Sequence, residues 1–396
     1  MNTEELLKTI ASGEDSRQQF KETISRTDSL AAELVAFTNT SGGRLFIGVD
    51  DHGQVKGLSK DEVRQTNELI SNAASQHIRP PINPTTYNVH TEQGIVVVVE
   101  VETGANKPYM DAQGRIWVKS GADKRHVTAR EEMQRMFQQS GLIYADEMPV
   151  KGTTISDLDE EAFAKYFEKR YNKTIGAAGV DLETLLHNLN LAHQGRPTLT
   201  GMLLFGRDPR KHLPSFGIKA FAYPGLELHD ISFRDGKDIH GTLHQQYEQC
   251  MDFIDRNLHH VPSGPSFNSQ SRLEIPEIVF EELIVNAMVH RDYFQQAPIR
   301  ILLFGDRIEI ISPGHLPNHL DTQQIRYGLT NLRNPALASH AYHILPYKGL
   351  GSGIPRVVAA WPRHELIDDR AGQQFKVILE RPEEYAVIWP GLKRRE

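Results

Sequence analysis

The stretch from Glu282 to Asp292, E-L-I-V-N-A-M-V-H-R-D, constrains this chain more than any other. Leu283, Ile284, Val285, Ala287, Met288 and Val289 predict a helix, and the four-residue spacing places Glu282 and Asn286 one turn apart on one face. A carboxylate beside an amide is what a Mg²⁺-nucleotide site needs. The amide oxygen can ligate a hard cation, and the carboxylate can orient or deprotonate a water. Taken alone, the pattern equally describes an amphipathic helix with two polar residues on its wet side.

A second feature shifts that balance. The run Lys348-Gly349-Leu350-Gly351-Ser352-Gly353-Ile354-Pro355-Arg356 leads into the apolar Val357, Val358, Ala359 and Ala360. Glycines ahead of a helix start let backbone N–H groups turn toward an anion, and the helix dipole adds attraction. No G-x-x-x-x-G-K-[ST] occurs in the chain, so this is not a Walker P-loop. Between the two features the sequence predicts strands from Ile299 to Phe304 and from Arg307 to Ile311.

The order of helix, strand, strand, loop and glycine-rich helix start resembles the GHKL-type ATPase fold. It is more closely similar to the divergent ATPase-like module of bacterial RecG-related proteins. Three boxes carry the resemblance: E-x-x-x-N-A-x-x-H-R-D at Glu282 to Asp292, N-P-G-x-L-P at Ser312 to Pro317, and G-x-G-I-P-R at Gly351 to Arg356. The resemblance implies ATP and Mg²⁺ as cofactors, Asn286 as the metal ligand and Glu282 as the acid of a weak ATPase. It also implies nucleotide contacts from Gly314, Gly349, Gly351, Ser352 and Gly353. Where typical GHKL enzymes carry D-x-G-x-G, this chain has Ser312-Pro313-Gly314, so a hydroxyl replaces the carboxylate that reads the adenine amino group.

A length of 396 residues suggests two or three domains. The net charge of -7 and pI near 6.2 exclude a globally basic surface, leaving any nucleic-acid contact to a local patch. The single cysteine, Cys250, excludes an internal disulfide framework and a cysteine zinc site. No apolar run is long enough to span a membrane, and the start lacks the layout of a signal peptide, so a cytoplasmic protein is expected.

Three blocks are legible: an α+β block over residues 1–141, a mixed middle over 153–260 and an α/β sandwich over 272–396. A linker rich in Pro, Ser and Gly, Val261 to Ser271, separates the last two. The first block predicts a helix from Leu30 to Phe37, strands from Arg44 to Val49 and Arg115 to Lys119, and a buried strand from Gly94 to Val101. A helix from Thr128 to Gln139 opens on a Thr-Ala-Arg-Glu capping box. In the middle block, helices run from Glu160 to Tyr171 and Gly241 to Leu258, with strands over Met202 to Phe205 and Ile218 to Ala222.

Three further boxes follow one another in the first block: Glu14 to Lys21, Ala36 to Gly43 and Ile47 to Asp51. They resemble E-S-x-x-x-E-F-K, A-F-A-N-T-x-G-G and I-G-V-D-D-x-G of the Schlafen-type AlbA_2 domain. Similar domains bind DNA or RNA, and in nuclease members three carboxylates gather a divalent metal. Carried over, this implies Glu14 and Asp51 as two of the acids and puts Gln19 at the third position. An amide there removes one negative charge and weakens the grip on Mg²⁺ or Mn²⁺. Binding without cutting is the expectation, with a metal-dependent nuclease, an anti-phage defence component, as the rival reading.

Arg115, Lys119, Lys124, Arg125 and Arg130 crowd one short stretch, and Lys21 would extend the patch. Alternation puts Arg115, Trp117 and Lys119 on one strand face. Cations beside an aromatic suit phosphate tracking and base stacking, while the alternative is a sheet edge guarded by charge. The whole reads as an α+β multidomain, nucleotide-responsive nucleic-acid-binding regulator, with DNA favoured over RNA and a homo-oligomeric state expected. Helicase activity conflicts with the missing motor motifs.

Overall fold

A computed structural model describes residues 1–226, 233–262, 271–317 and 320–384. They fall into two compact units, Met1–Ile143 and Tyr144–Glu396. In the first unit the β-branched run of Gly94–Val101 forms an inner strand. It pairs antiparallel with Gly43–Ile47 and Thr85–Thr91, and Gln18–Lys21 completes the sheet parallel to Gly43–Ile47. Val97 and Val99 pack with Leu30, Leu34 and Phe37 of the helix Thr27–Asn39. Val96 and Val98 pack on the opposite face with Leu6, Ile10 and Phe20. Both faces of the strand are covered, which is why its sequence shows no polar alternation. A hairpin of Trp117–Ser120 and Asp123–His126 packs against the helix Thr27–Asn39.

The second unit is built on a six-stranded sheet. Its order is Asp235–Ile239, Ile218–Ala222, Ile299–Leu303, Arg307–Pro313, Gln374–Glu380, His364–Asp369. Only Ile218–Ala222 and Ile299–Leu303 pair in parallel; the other neighbours are antiparallel. Strands from the blocks read as 153–260 and 272–396 thus lie side by side in one sheet. A single core from Ala145 to Leu379 runs through both, so they are one unit and not two.

The helix Glu277–Val289 is mostly apolar and is buried along most of its length, with Glu282 and Asn286 among its few polar residues. Glu282 is itself buried, which removes the reading of a wet-side polar residue. Met202 to Phe205 is not a strand but the end of the helix Leu199–Phe205, started by Thr198, whose side chain accepts from the Gly201 N–H. A short apolar run suits either element, and here the cap decides. The helix expected from Thr128 begins at Arg130, and its N-cap Ala129 makes no side-chain bond. Cys250 lies fully buried in the helix Leu243–Asn257, where burial pushes its thiol pKa well up. Among the described residues, no helix is long and apolar enough to cross a membrane.

Candidate functional site

In the second unit, the helix Glu277–Val289 and the strand Arg307–Pro313 form walls of a solvent-open cleft. Glu282, Asn286 and His290 line it from successive turns of the helix, and Leu283, Ala287, Ile310, Phe375 and Val377 give it apolar sides. The glycine-rich run forms part of the rim and ends where the helix Gly353–Ala360 begins. Gly353 sits directly over the two polar residues: a Cβ there would lie 2.6 Å from Glu282 Oε2 and 2.9 Å from Asn286 Nδ2. Gly351 adopts φ +69°, and a Cβ on it would collide with the Gly328 carbonyl. The sequence-predicted Glu282, Asn286, Gly314, Gly349, Gly351, Ser352 and Gly353 all line this one cleft.

Glu282 is not a free base. Its Oε1 lies 2.6 Å from Arg356 Nη2. Burial raises its pKa, and the Arg356 charge opposes that rise. Ser312 Oγ donates to the Ala287 carbonyl at 3.0 Å, so its proton is committed to the helix backbone. Gly314, at φ +101°, stands where a Cβ would overlap the Arg333 guanidinium and come within 2.6 Å of Asp292 Cβ.

Arg333 was not singled out from the sequence. It donates from Nη2 to the His315 carbonyl at 2.7 Å and from Nη1 to the His290 carbonyl at 3.3 Å. The triplet Arg333-Asn334-Pro335 ahead of the helix Pro335–Ala341 is the signal that could have found it, with Pro at a helix start. Asn334 Nδ2 donates to the Val289 and Arg291 carbonyls at 2.9 and 2.8 Å, tying this segment to the end of the cleft helix. Burial, with Arg333 adding to it, holds His290 down at about 4, so its imidazole is neutral.

The acidic constellation of the first unit is arranged differently. Glu14 Oε1 accepts from Gln19 Nε2 at 2.5 Å and from the Phe20 N–H at 2.7 Å. Gln19 Oε1 accepts from Lys119 Nζ at 2.6 Å. The Lys119 side chain is fully buried; its ammonium also donates to the Ala122 carbonyl and lies 4.0 Å from Glu33 Oε2. Lys124 pairs with the other oxygen of Glu33. Asp51 is exposed and stands 3.9 Å from Lys21.

Among the described residues, no group of three His, Cys, Asp or Glu side chains could hold a metal ion. A divalent metal does not fit here, because the Lys119 ammonium already supplies the positive charge beside Gln19 and Glu33. Glu33, from the helix Thr27–Asn39, was missed because nothing in its local sequence marks it.

The expected cationic stripe is also corrected. Lys119 faces inward and cannot belong to it. Arg115 Nε pairs with Asp111 at 2.8 Å with its guanidinium 5.2 Å from the centre of the Trp117 ring, and Arg125 makes a two-pronged pair with Glu132 at 2.9 and 2.5 Å. Arg130 is exposed. The cations of this stretch that keep some exposure are therefore Lys21, Arg115, Lys124, Arg125 and Arg130, and the first four of them pair with acidic neighbours.

Comparison with known proteins matches residues 14–128 to the family described as "Schlafen, AlbA_2". Residues 296–379 match the one described as "Putative ATP-dependent DNA helicase recG C-terminal", and residues 134–219 match a domain of unknown function. The chain is an α+β multidomain protein with a Schlafen AlbA_2 domain at its N-terminal end and a RecG-related, ATPase-like domain toward its C-terminal end. The two matches point toward a nucleic-acid-binding protein.

Among solved structures it is similar to the DIP2311 protein of Corynebacterium diphtheriae, at 20% identity over 97% of this chain and 82% of that one, with a TM-score of 0.45. It is also similar to the N-terminal domain of a RecG-related protein from Nitrosomonas europaea, at 22% identity over 33% of this chain and 96% of that one, with a TM-score of 0.24. The comparison with curated proteins finds no match.

Proposed function

We propose that the protein is a nucleotide-responsive nucleic-acid-binding regulator, cytoplasmic and homo-oligomeric. Its cleft takes a Mg²⁺–nucleoside triphosphate, with ATP the ligand that an ATPase-like domain implies, and its first unit holds DNA without cutting it. The observation that carries the reading is the seating of Gly353 directly over Glu282 and Asn286, at the end of a loop in which Gly351, at φ +69°, lies too close to the Gly328 carbonyl to carry a side chain. Backbone N–H groups at Gly351, Ser352 and Gly353 receive phosphate oxygens at the helix start, with Lys348 at the same rim. The amide oxygen of Asn286 holds the metal, whose contribution when bound is to neutralise phosphate charge.

The apolar sides of the cleft take the base. Glu282 is held by Arg356, so orienting a water requires that pair to open, and any hydrolysis is slow. In the first unit, the outward cations exchange their acidic neighbours for phosphates, a step that weakens as salt rises.

The test is calorimetry of the full chain with ATP and Mg²⁺. Binding is expected in the parent, and Asn286→Ala should weaken it by a factor of roughly 10 to 150, the value of a hydrogen bond or ligand contact to a charged group. Equal heats in parent and variant, or none in either, would remove the reading. The nuclease rival takes its place if the parent cuts DNA or RNA in Mn²⁺ and Asp51→Ala stops it.

A further inference from the structure

Resting on the reading that the cleft takes a nucleotide, we propose that Arg333 makes its base end select a 6-oxopurine, guanine or hypoxanthine, over adenine. The helix Glu277–Val289 sets the axis of the cleft. Glu282 and Asn286 lie under Gly353, while His290, one turn beyond Asn286, lies beside Arg333 and Tyr347. Phosphates held at the glycine-rich loop therefore leave the base among His290, Ser312, Gly314 and Arg333.

That end of the cleft offers donors. The two carbonyls that receive Arg333, His290 and His315, fix its plane without neutralising its charge, and among the described residues it forms no ion pair. The acids that act on it from longer range, Asp292 and Asp368, are engaged elsewhere. Asp292 accepts from the Phe294 N–H and Gln295 Nε2, and Asp368 accepts from the Leu316 N–H and pairs with Arg370. The one carboxylate among the described lining residues, Glu282, is at the other end. Gly314 shapes the strand end around the guanidinium, and the bonds of Asn334 to the helix end hold the segment in place before any ligand arrives.

A guanidinium fork matches two neighbouring acceptors, which guanine and hypoxanthine present as O6 and N7. Adenine keeps N7 but replaces O6 with an amino donor, so donor would face donor. Ser312, whose proton goes to the Ala287 carbonyl, leaves a neutral acceptor where a carboxylate would hold that amino group about twice as strongly.

The experiment is calorimetry of the full chain with GTP, ITP and ATP, each with Mg²⁺. GTP and ITP are expected to bind about tenfold or more tightly than ATP, the discrimination typical of a two-pronged arginine contact. Arg333→Lys keeps the charge and loses the fork, so it should weaken GTP and ITP about tenfold and bring all three close to level. Affinity for ATP equal to or above that for GTP in the parent overturns the inference and leaves the nucleotide cleft standing. A GTP preference that survives in Arg333→Lys overturns the role of Arg333. If no triphosphate binds, the inference and the reading beneath it fall together.

Discussion

Both units gather charged and polar side chains around a family motif, and they dispose of them in opposite ways. Beside the sheet of the first unit, Glu14, Gln19, Lys119, Glu33 and Lys124 are linked to one another by hydrogen bonds and ion pairs within the fold. In the cleft of the second, Asn286 faces a space that no described side chain fills, and Arg333 lines the same space while held by the His290 and His315 carbonyls. A buried polar group normally finds a partner within the fold, so one that meets a cavity instead marks where a ligand belongs. Motif matching alone treats the two constellations alike; the destination of their hydrogen bonds separates them.

The contrast breaks most visibly at Lys119. Lys119→Met leaves Gln19 and the Ala122 carbonyl without their donor and Glu33 with Lys124 alone, and should cost about 1–3 kcal/mol of stability in urea unfolding. A change near zero would show that the network does not hold the unit together. The same cation should defeat Gln19→Glu as a route to a metal site: Lys119 will pair with the new carboxylate, and Mn²⁺ titration followed by electron paramagnetic resonance should show no uptake.

A buried acid without a cation sharpens the comparison from the other side. Asp146 is fully buried; Oδ2 accepts from the Leu337 N–H at 2.9 Å, and Oδ1 has no partner among the described residues. Burial pushes its pKa up from 3.8 to about 6. An acid whose pKa is raised by folding favours the native state while protonated, so this contribution is lost as pH climbs from about 4 to about 6. Asp146→Asn should flatten that fall, by an amount on the order of 3 kcal/mol, in denaturation curves taken across the window. A parent and variant with parallel pH profiles would contradict this.

The smallest effect is expected at the first unit's surface. Charge reversal of Lys124 and Arg125 should reduce the salt slope of DNA binding by about one ion each at most, because Glu33 and Glu132 already compete for them. A slope unchanged in the double variant would place the DNA elsewhere.

Much of the second unit's site was legible because its parts are local. The four-residue step from Glu282 to Asn286 and the glycine run each lie within one element or one turn, so spacing alone predicts what they present. The pairing of Glu282 with Arg356 and the placing of Arg333 depend on chain returns of 74 and 43 residues, which periodicity does not encode. Lys119 shows a different limit. Strand alternation correctly separates the two faces of Trp117–Ser120, but which face a helix covers is a tertiary fact, and here the helix Thr27–Asn39 encloses the lysine. Likewise the separate middle block dissolved because Ile218–Ala222 pairs in parallel with Ile299–Leu303, a long-range contact across an apparent linker.

The burial of Cys250 has a practical consequence. As the sole cysteine, enclosed in the core with its thiol held protonated, it gives the folded chain no thiolate for a maleimide dye to capture. Leu350, 78% exposed on the glycine-rich rim, can then be exchanged for cysteine and labelled alone. The native sequence thus already supplies the silent background for an optical reporter placed at the mouth of the cleft.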